Sequence, residues 1–232
     1  DGSSGIAQLL STATISAIVA IIGIILRTFV KKKPYTDVGD IMLGFAILMV
    51  GMQTMSGAVS PLKENPHFVS LLTMFKNPFM GILVGIAFTA VLQSASASVG
   101  ILQALSITGS ITFAAALPIT MGIGVGAACP VLLSSIGTNK NGKRTALIYL
   151  LNDLFGMIFW SIVFYSINAV VHFTFMDEVM TPFRTALLNS VFRILTILVL
   201  APFISKIEKL VFILIKDTEE DNEEQADFDL LE

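Results

Sequence analysis

The sequence predicts an all-α, polytopic integral membrane protein that contains a re-entrant helical hairpin and a broken transmembrane helix. The first observation is composition: the 232-residue chain is 54% hydrophobic and 13% charged, with a mean hydropathy of +0.82, whereas soluble domains carry about 25% charged residues. The second is a series of apolar stretches close to the roughly 20 residues that cross a bilayer as a helix. The third is that no charged residue occurs between Asn77 and Asn139.

The hydropathy and charge patterns divide the chain into three regions. Residues 1–62 are predicted to form two N-terminal transmembrane helices, and residues 63–216 the hairpin, the broken helix and two further transmembrane helices. Residues 217–232 hold nine acidic residues and no basic one, which leaves the rest of the chain with a net charge of +6. This last region is predicted to be an acidic cytoplasmic tail. Because residue 1 is not Met, we expect the chain to be part of a longer polypeptide, and residues 1–5 are either a native loop or a linker.

The same composition excludes several function classes. The high apolar content is not that of a nucleic-acid-binding protein or a disordered chain. The single cysteine, Cys129, excludes a disulfide framework and a Cys-rich metal site. The two histidines, His67 and His172, fall in short polar connections. The polar residues form no Ser/His/Asp or paired-carboxylate pattern, so we expect neither an enzyme nor an organic cofactor.

Basic residues set the expected topology, since cytoplasmic loops are enriched in Lys and Arg. Nine of the fourteen fall in three clusters: Lys31–Lys33, Lys140–Arg144 and Lys206–Lys216. All three lie on the cytoplasmic side only if residues 77–109 enter the membrane and return to the same face. The two apolar arms of this segment, Pro78–Leu92 and Val99–Thr108, have at most about 15 residues and reach only ~23 Å at ~1.5 Å per residue. The sequence therefore predicts a re-entrant hairpin whose polar tip lies near mid-membrane.

The tip of this hairpin carries the first candidate binding residues. Its polar side chains are an amide and three hydroxyls, those of Gln93, Ser94, Ser96 and Ser98. Neutral oxygens suit Na⁺, and N–H and O–H donors at a helix N-terminus suit an oxyanion. The alternative is that these small residues only let two helices approach closely.

A glycine-rich interruption follows in the next apolar stretch. Gly122, Gly124 and Gly126 lie together with Pro130 within nine residues. Each glycine costs a helix about 1 kcal/mol and a proline about 3 kcal/mol, so we predict a broken helix with freed carbonyl and N–H groups. Such breaks near the midplane are typical of secondary-transporter sites. A kinked structural helix is the alternative.

Two isolated charges fall inside the later spans. Asp153 lies about 15 Å from the cytoplasmic end of its helix and Arg193 about 19 Å, at ~1.5 Å per residue. An unpaired charge at such depth costs about 2.5–3.5 kcal/mol. We therefore predict an intramembrane charge pair between them, in which Arg193 could also attract an anion or Asp153 a cation.

The run Gln93-Ser94-Ala95-Ser96-Ala97-Ser98, followed by the glycine-broken segment Met121–Ser135, resembles the sodium-dependent inorganic phosphate cotransporter family (the Na/Pi cotransporter II type). Members of that family have two inverted repeats, each with a QSSS-type hairpin tip and an adjacent unwound helix. The resemblance runs from about Ile6 to Ser205 and is greater to the second repeat. It implies that this chain is one repeat, the second-repeat half of a bacterial member. The acidic tail is similar to the link that precedes a PhoU-like regulatory domain in bacterial members.

The resemblance also implies the ligands. Phosphate and Na⁺ would be held by the tip and the break, namely by Gln93, Ser94, Ser96, Ser98, Gly122, Gly124 and Gly126. The chain departs from the family pattern at the tip, where Ala95 stands in place of a serine. It also departs in the break, where Gly124, Ala127, Ala128 and Pro130 replace Asn and Thr. With these losses, either the ions are coordinated mainly by backbone carbonyls and the hairpin serines, or the ion site of the second repeat is weakened.

The implied function is sodium-coupled secondary active transport, a symport of inorganic phosphate across the cell membrane, with Na⁺ as the co-transported ion. Expected partners are the lipid bilayer, the missing first repeat (in the same polypeptide or a second chain) and a PhoU-like cytosolic domain, but no nucleic acid. The basic loops and the acidic tail are expected to be cytoplasmic. Two alternatives stay open: a degenerate phosphate-binding or regulatory membrane protein, and a transporter of another anion. Coupling to H⁺ instead of Na⁺ is also open.

Overall fold

The computed structural model describes residues 12–59, 61, 67 and 74–216, and their regular structure is helical. The α-helices of this part are α1 Thr12–Phe29, α2 Lys33–Val59, α3 Pro78–Leu92, α4 Ala95–Ile107, α5 Phe113–Gly126, α6 Ala128–Ser135, α7 Lys140–Val171, α8 Pro182–Leu200 and α9 Ile204–Leu214. Two short 3₁₀ turns, Thr174–Asp177 and Ala201–Phe203, and one isolated bridge between Thr112 and Val179 accompany them. The predicted all-α fold is confirmed, whereas the predicted acidic tail, 217–232, lies outside the described residues.

Four helical stretches of the described chain are long and apolar enough to cross a membrane. They are Lys33–Met55, Phe113–Ser135, Lys140–Val171 and Pro182–Leu214. Shorter apolar helices are Thr14–Phe29 and the two hairpin arms α3 and α4. A polytopic membrane protein, as the hydropathy predicts, is therefore confirmed.

The helices α1 and α2 pack against each other, and α2 in turn packs on α4. The backbones of the first two helices approach closely at Gly23 and Gly39, where an added Cβ on either residue would lie about 3 Å from the carbonyl oxygen of the other. An ion pair between Arg27 and Asp40 joins the same two helices near their connecting turn. The N-terminal pair thus covers one side of the hairpin.

The arms α3 and α4 form a hairpin whose two open ends lie at the same connection, 172–181. At the start of α3, Lys76 Nζ lies 3.2 Å from Asp177 Oδ1. Near the end of α4, Gln103 Nε2 donates to the Pro182 carbonyl at 3.3 Å. The arms have 15 and 13 residues, so they extend about 22 and 20 Å at ~1.5 Å per residue. The chain therefore enters and returns on one side, while insertion of this hairpin into a bilayer stays a prediction.

Helix α5 forms the core of the described part. All of its residues from Ala114 to Gly126 are buried, and Leu102, Ile111 and Met180 complete the apolar cluster around it. Its closest neighbour is α3, on which it packs backbone against backbone. A Cβ on Gly85 would lie 2.2 Å from the Ile119 carbonyl oxygen.

The glycine run does not interrupt the helix where the sequence predicted. Gly122 and Gly126 are helical and face α3, because a Cβ on either would lie within 2.6 Å of an α3 carbonyl oxygen. The boundary between α5 and α6 falls at Ala127, whose backbone keeps right-handed angles (φ −65°, ψ −17°) and whose N–H donates to the Ile123 carbonyl at 3.0 Å. The predicted break therefore lies at Ala127, inside the interval 122–130 but after the glycines, which stay helical because close packing offsets their low helix propensity. Pro130 lies in the first turn of α6, where a backbone N–H has no intrahelical partner to lose.

The last helices return the chain to the end opposite the 172–181 connection. Arg144, at the start of α7, donates from Nη2 and Nε to the Ile215 carbonyl at 2.7 and 3.1 Å. Its guanidinium also lies 4.1 Å from the centre of the Phe212 ring. The basic start of α7 and the lysine-containing helix α9 therefore lie at one end of the molecule, as the topological argument requires.

Candidate functional site

The hairpin tip is a two-residue turn followed at once by a capped helix. Gln93 adopts left-handed angles (φ 54°, ψ 24°) and its N–H donates to the Thr89 carbonyl at 2.8 Å. Ser94 is extended and caps α4, its Oγ accepting from the Ala97 N–H at 3.2 Å. Helix α4 thus begins inside the serine string, four residues before the predicted arm, because Ser94 is a good N-cap.

Ser98 fastens the two arms together. Thr89 Oγ1 donates to Ser98 Oγ at 2.9 Å, and Ser98 Oγ donates to the Ser94 carbonyl at 3.0 Å. Both side chains are buried, at 0% and 1% exposure. The sequence analysis did not single out Thr89, since nothing in a spacing of nine residues marks a contact across a turn.

Ser96 faces a cavity of about 550 Å³ outside the tip. Its lining residues come from α4, α7 and α8: Ala95, Ser96, Val99, Tyr149, Asn189 and Arg193. Ser96 Oγ lies 3.2 Å from Ser94 Oγ, so two of the predicted tip serines adjoin each other beside this space. Gln93, in contrast, is exposed at the turn and is not among the lining residues.

A second, smaller cavity of about 160 Å³ adjoins the first between α7 and α8. It is lined by Tyr149, Asn152, Asp153, Phe192, Arg193, Thr196 and Ile197, so Tyr149 and Arg193 border both spaces. Gly124 lies beside it, since a Cβ there would be 3.9 Å from Asp153 Oδ2. Of the three predicted glycines, Gly124 alone turns toward these cavities, and the other two pack on α3.

Asp153 and Arg193 lie on one cavity wall without forming a direct ion pair. The positive charge of Arg193 attracts the Asp153 carboxylate, but the ion pairs among the described residues are between other side chains. Asp153 Oδ1 accepts from Asn152 Nδ2 at 3.4 Å, while Asp153 Oδ2 is buried with no hydrogen-bond partner. The structure thus brings the two predicted charges together and leaves both available to a solute.

A sequence model of the Na⁺/Pi-cotransporter family matches residues 64–184, slightly more than half of the chain. The chain belongs to the Na⁺/Pi-cotransporter family. The predicted membership of the sodium–phosphate cotransporter family is thereby confirmed, whereas the II type and the bacterial origin stay predictions. Neither the curated proteins nor the solved structures gave a match. The family supports a sodium-coupled phosphate transport role with Na⁺ as the co-transported ion, in a multi-pass membrane protein. A transporter family is consistent with the expectation that the chain is not an enzyme.

The match to the Na⁺/Pi-cotransporter family covers the hairpin, α5, α6 and α7 but ends at Arg184. The cavity residues of α8, Asn189, Arg193 and Thr196, lie beyond that boundary. Asn189 and Tyr149 carry no site signal in the sequence, because a lone polar residue in a span more often bonds across helices than to a ligand. Their place beside Ser96 depends on three separated helices meeting, which no local spacing reveals.

The two cavities share the Arg193 guanidinium but differ in their other polar groups. The larger one has this guanidinium, an amide and two hydroxyls beside the first turn of α4, whose N–H groups carry partial positive charge. The smaller one adds a carboxylate, a second amide and the Thr196 hydroxyl. Donors therefore dominate the first cavity, and oxygen acceptors are concentrated in the second. Within the described residues, no group of three or more His, Cys, Asp or Glu side chains could hold a metal ion.

Proposed function

We propose that this chain is one repeat of a sodium-coupled symporter that imports inorganic phosphate, and that phosphate binds in the larger cavity. The observation that carries the proposal is that Ser96, in the first turn of α4, and Arg193, on α8, border one space in a chain of the Na⁺/Pi-cotransporter family. A volume of about 550 Å³ is in the usual range for small-molecule sites.

Each part of the cavity wall suits an oxyanion. The N-terminal amides of α4 lack intrahelical acceptors and favour negative charge by about 0.3–1 kcal/mol. A guanidinium binds phosphate through paired, charge-assisted hydrogen bonds, and no ion pair or hydrogen bond within the described chain holds Arg193 in place. Asn189 and Tyr149 add an amide and a hydroxyl that complete a set of donors.

The transport cycle follows from having one repeat on each side of the solute. This repeat supplies one wall, and the partner repeat, from the same polypeptide or a second chain, supplies the other. Rocking of one repeat against the other then alternates access to the site. Basic residues at the end formed by the start of α7 and by α9 support a cytoplasmic location for that end. Na⁺ moves down its gradient with phosphate and drives uptake.

The experiment is uptake of labelled phosphate by the full-length natural protein in proteoliposomes. We expect uptake with an inward Na⁺ gradient and little uptake when choline replaces Na⁺. Arg193→Gln should raise the phosphate concentration for half-maximal uptake about tenfold or more, equivalent to about 1.4 kcal/mol. The matched control is Arg184→Gln, which removes an exposed arginine paired with Glu178 and should leave half-saturation near the wild-type value.

The outcomes separate the alternatives. Equal uptake in Na⁺ and choline contradicts sodium coupling, and a proton gradient then becomes the driving force to test. Phosphate binding without flux in the wild-type protein indicates a phosphate-binding regulatory protein. Uptake that sulfate or organic anions suppress as well as phosphate does indicates a transporter of another anion.

A further inference from the structure

We infer that the smaller cavity, between α7 and α8, binds Na⁺ through the side-chain oxygens of Asp153 and Thr196. This inference rests on the proposed function, because it assigns a place to the coupled cation. It differs from the sequence prediction, which located cation ligands at the serine tip and the glycine run. Ser94 caps α4 and Ser98 closes the hairpin, so the hydroxyls of these two tip serines are already engaged.

Two unpartnered oxygens in the same cavity point to a ligand. Asp153 Oδ2 and Thr196 Oγ1 are both buried without a hydrogen-bond partner, and both residues line the space of about 160 Å³. Thr196 is 3% exposed. A buried polar group without a partner destabilises the folded protein, and a charged group does so more strongly. A cation between these two oxygens removes that cost for both.

Close packing of α7 and α8 keeps Asp153 and Thr196 at the same cavity. A Cβ on Gly156 would lie 2.3 Å from Thr196 Cγ2, so only glycine lets α7 and α8 come this close. Residues three apart share a helix face, which places Asp153 on the same face as Gly156 and Arg193 on the same face as Thr196. The contact at Gly156 thus brings together the helix faces that carry Asp153 and Thr196, at the cavity that both residues line.

The donor set fits a hard monovalent cation. Carboxylate, hydroxyl and amide oxygens are the ligands that hard cations prefer. Asn152 donates its NH₂ group to Asp153 Oδ1, so its own carbonyl oxygen stays available as a third ligand. Water can supply the rest of the coordination in a cavity of this size.

Arg193 connects this cation site with the phosphate cavity, since it borders both. Without a cation, the Asp153 carboxylate attracts the guanidinium and repels an anion in the next cavity. A bound cation neutralises Asp153 and leaves the positive charge of Arg193 to phosphate. Each ion therefore increases the affinity for the other, and the two effects must be equal in binding free energy.

The test uses the purified full-length protein with NaCl alone, followed by inorganic phosphate. Thermal unfolding is titrated with Na⁺ at constant ionic strength set by choline, because a ligand of the folded state raises the unfolding temperature. Thr196→Val keeps the side-chain shape but removes Oγ1, and it should raise the half-maximal Na⁺ concentration about tenfold. Thr196→Ser should restore the wild-type value. The control is Thr120→Val, a buried threonine whose hydroxyl bonds to the Ala116 carbonyl, which should not change the Na⁺ titration.

A second variant separates a sodium ligand from a structural partner of Arg193. Asp153→Asn should abolish the ability of Na⁺ to tighten phosphate binding, and phosphate should bind in choline more tightly than it does to the wild-type protein. A purely structural Asp153 predicts weaker phosphate binding in both salts. The inference is overturned if Thr196→Val and Asp153→Asn both keep the wild-type Na⁺ titration while transport stays sodium-dependent. Loss of sodium dependence in the wild-type protein overturns the proposed function itself.

Discussion

The close contact between α3 and α5 predicts that Gly85→Ala disrupts the hairpin. The added Cβ would lie 2.2 Å from the Ile119 carbonyl oxygen and 3.0 Å from Gly122 Cα. Since non-bonded heavy atoms pack best at about 3.5–4.0 Å, the two backbones must separate by more than about 1 Å. Overpacking of this kind costs about 1–3 kcal/mol, and the separation also weakens neighbouring contacts along the helix pair.

The assay is thermal unfolding of the purified protein, with Gly51→Ala as the matched control. Gly51 is also helical but has no atom within 4 Å of an added Cβ, so alanine there should gain up to about 1 kcal/mol of helix propensity. The two variants should therefore differ by about 2 kcal/mol or more, several degrees in the unfolding temperature. If Gly85→Ala is as stable as Gly51→Ala, the backbone contact between α3 and α5 does not exist in this form, and the reasoning is refuted.

Three further substitutions test single contacts. Thr89→Val should lower the free energy of unfolding by about 1 kcal/mol, because it removes the donor to Ser98. Thr89→Ser keeps this donor and should not lower it. A Thr89→Val variant as stable as the wild-type protein would contradict the bond across the turn. Asn77→Ala removes the side-chain acceptor for two N–H groups at the start of α3 and should cost about 1 kcal/mol, with Asn77→Asp as the control in the same unfolding assay. Arg144→Met should speed hydrogen exchange in α9 by removing the bonds to the Ile215 carbonyl; unchanged exchange would show that apolar contacts alone hold that helix.

The hairpin could be predicted from sequence because its signals are local. Asn77 and Pro78 mark a helix start, and the predicted first arm, Pro78–Leu92, has the bounds of α3. The predicted second arm begins four residues after the start of α4, because the serine string was interpreted as a set of ligands and Ser94 was not recognised as an N-cap. The length of the arms and the placement of the basic residues were sufficient to predict that the chain returns to one side.

The glycine run shows where propensity misleads. Gly122 and Gly126 weaken an isolated helix, but in α5 they allow contact with another backbone, and packing decides the outcome. Tyr149, Asn189 and Thr196 could not be assigned to a site from sequence, because the cavities form only when α4, α7 and α8 meet. Asp153 and Arg193 were correctly expected to be neighbours in space, yet the ion pair expected from the cost of buried charge is absent between them.

The two arms of the hairpin pack mainly against different helices. The first arm, α3, lies chiefly on α5, whereas the second, α4, lies chiefly on α2 and α8 and also contacts α5. Apart from the Gln93-Ser94 turn, the bond between Thr89 and Ser98 is the cross-link at the tip. The boundary between these two helix groups therefore reaches the tip, where Thr89 and Ser98 join them beside the cavity that Ser96 lines.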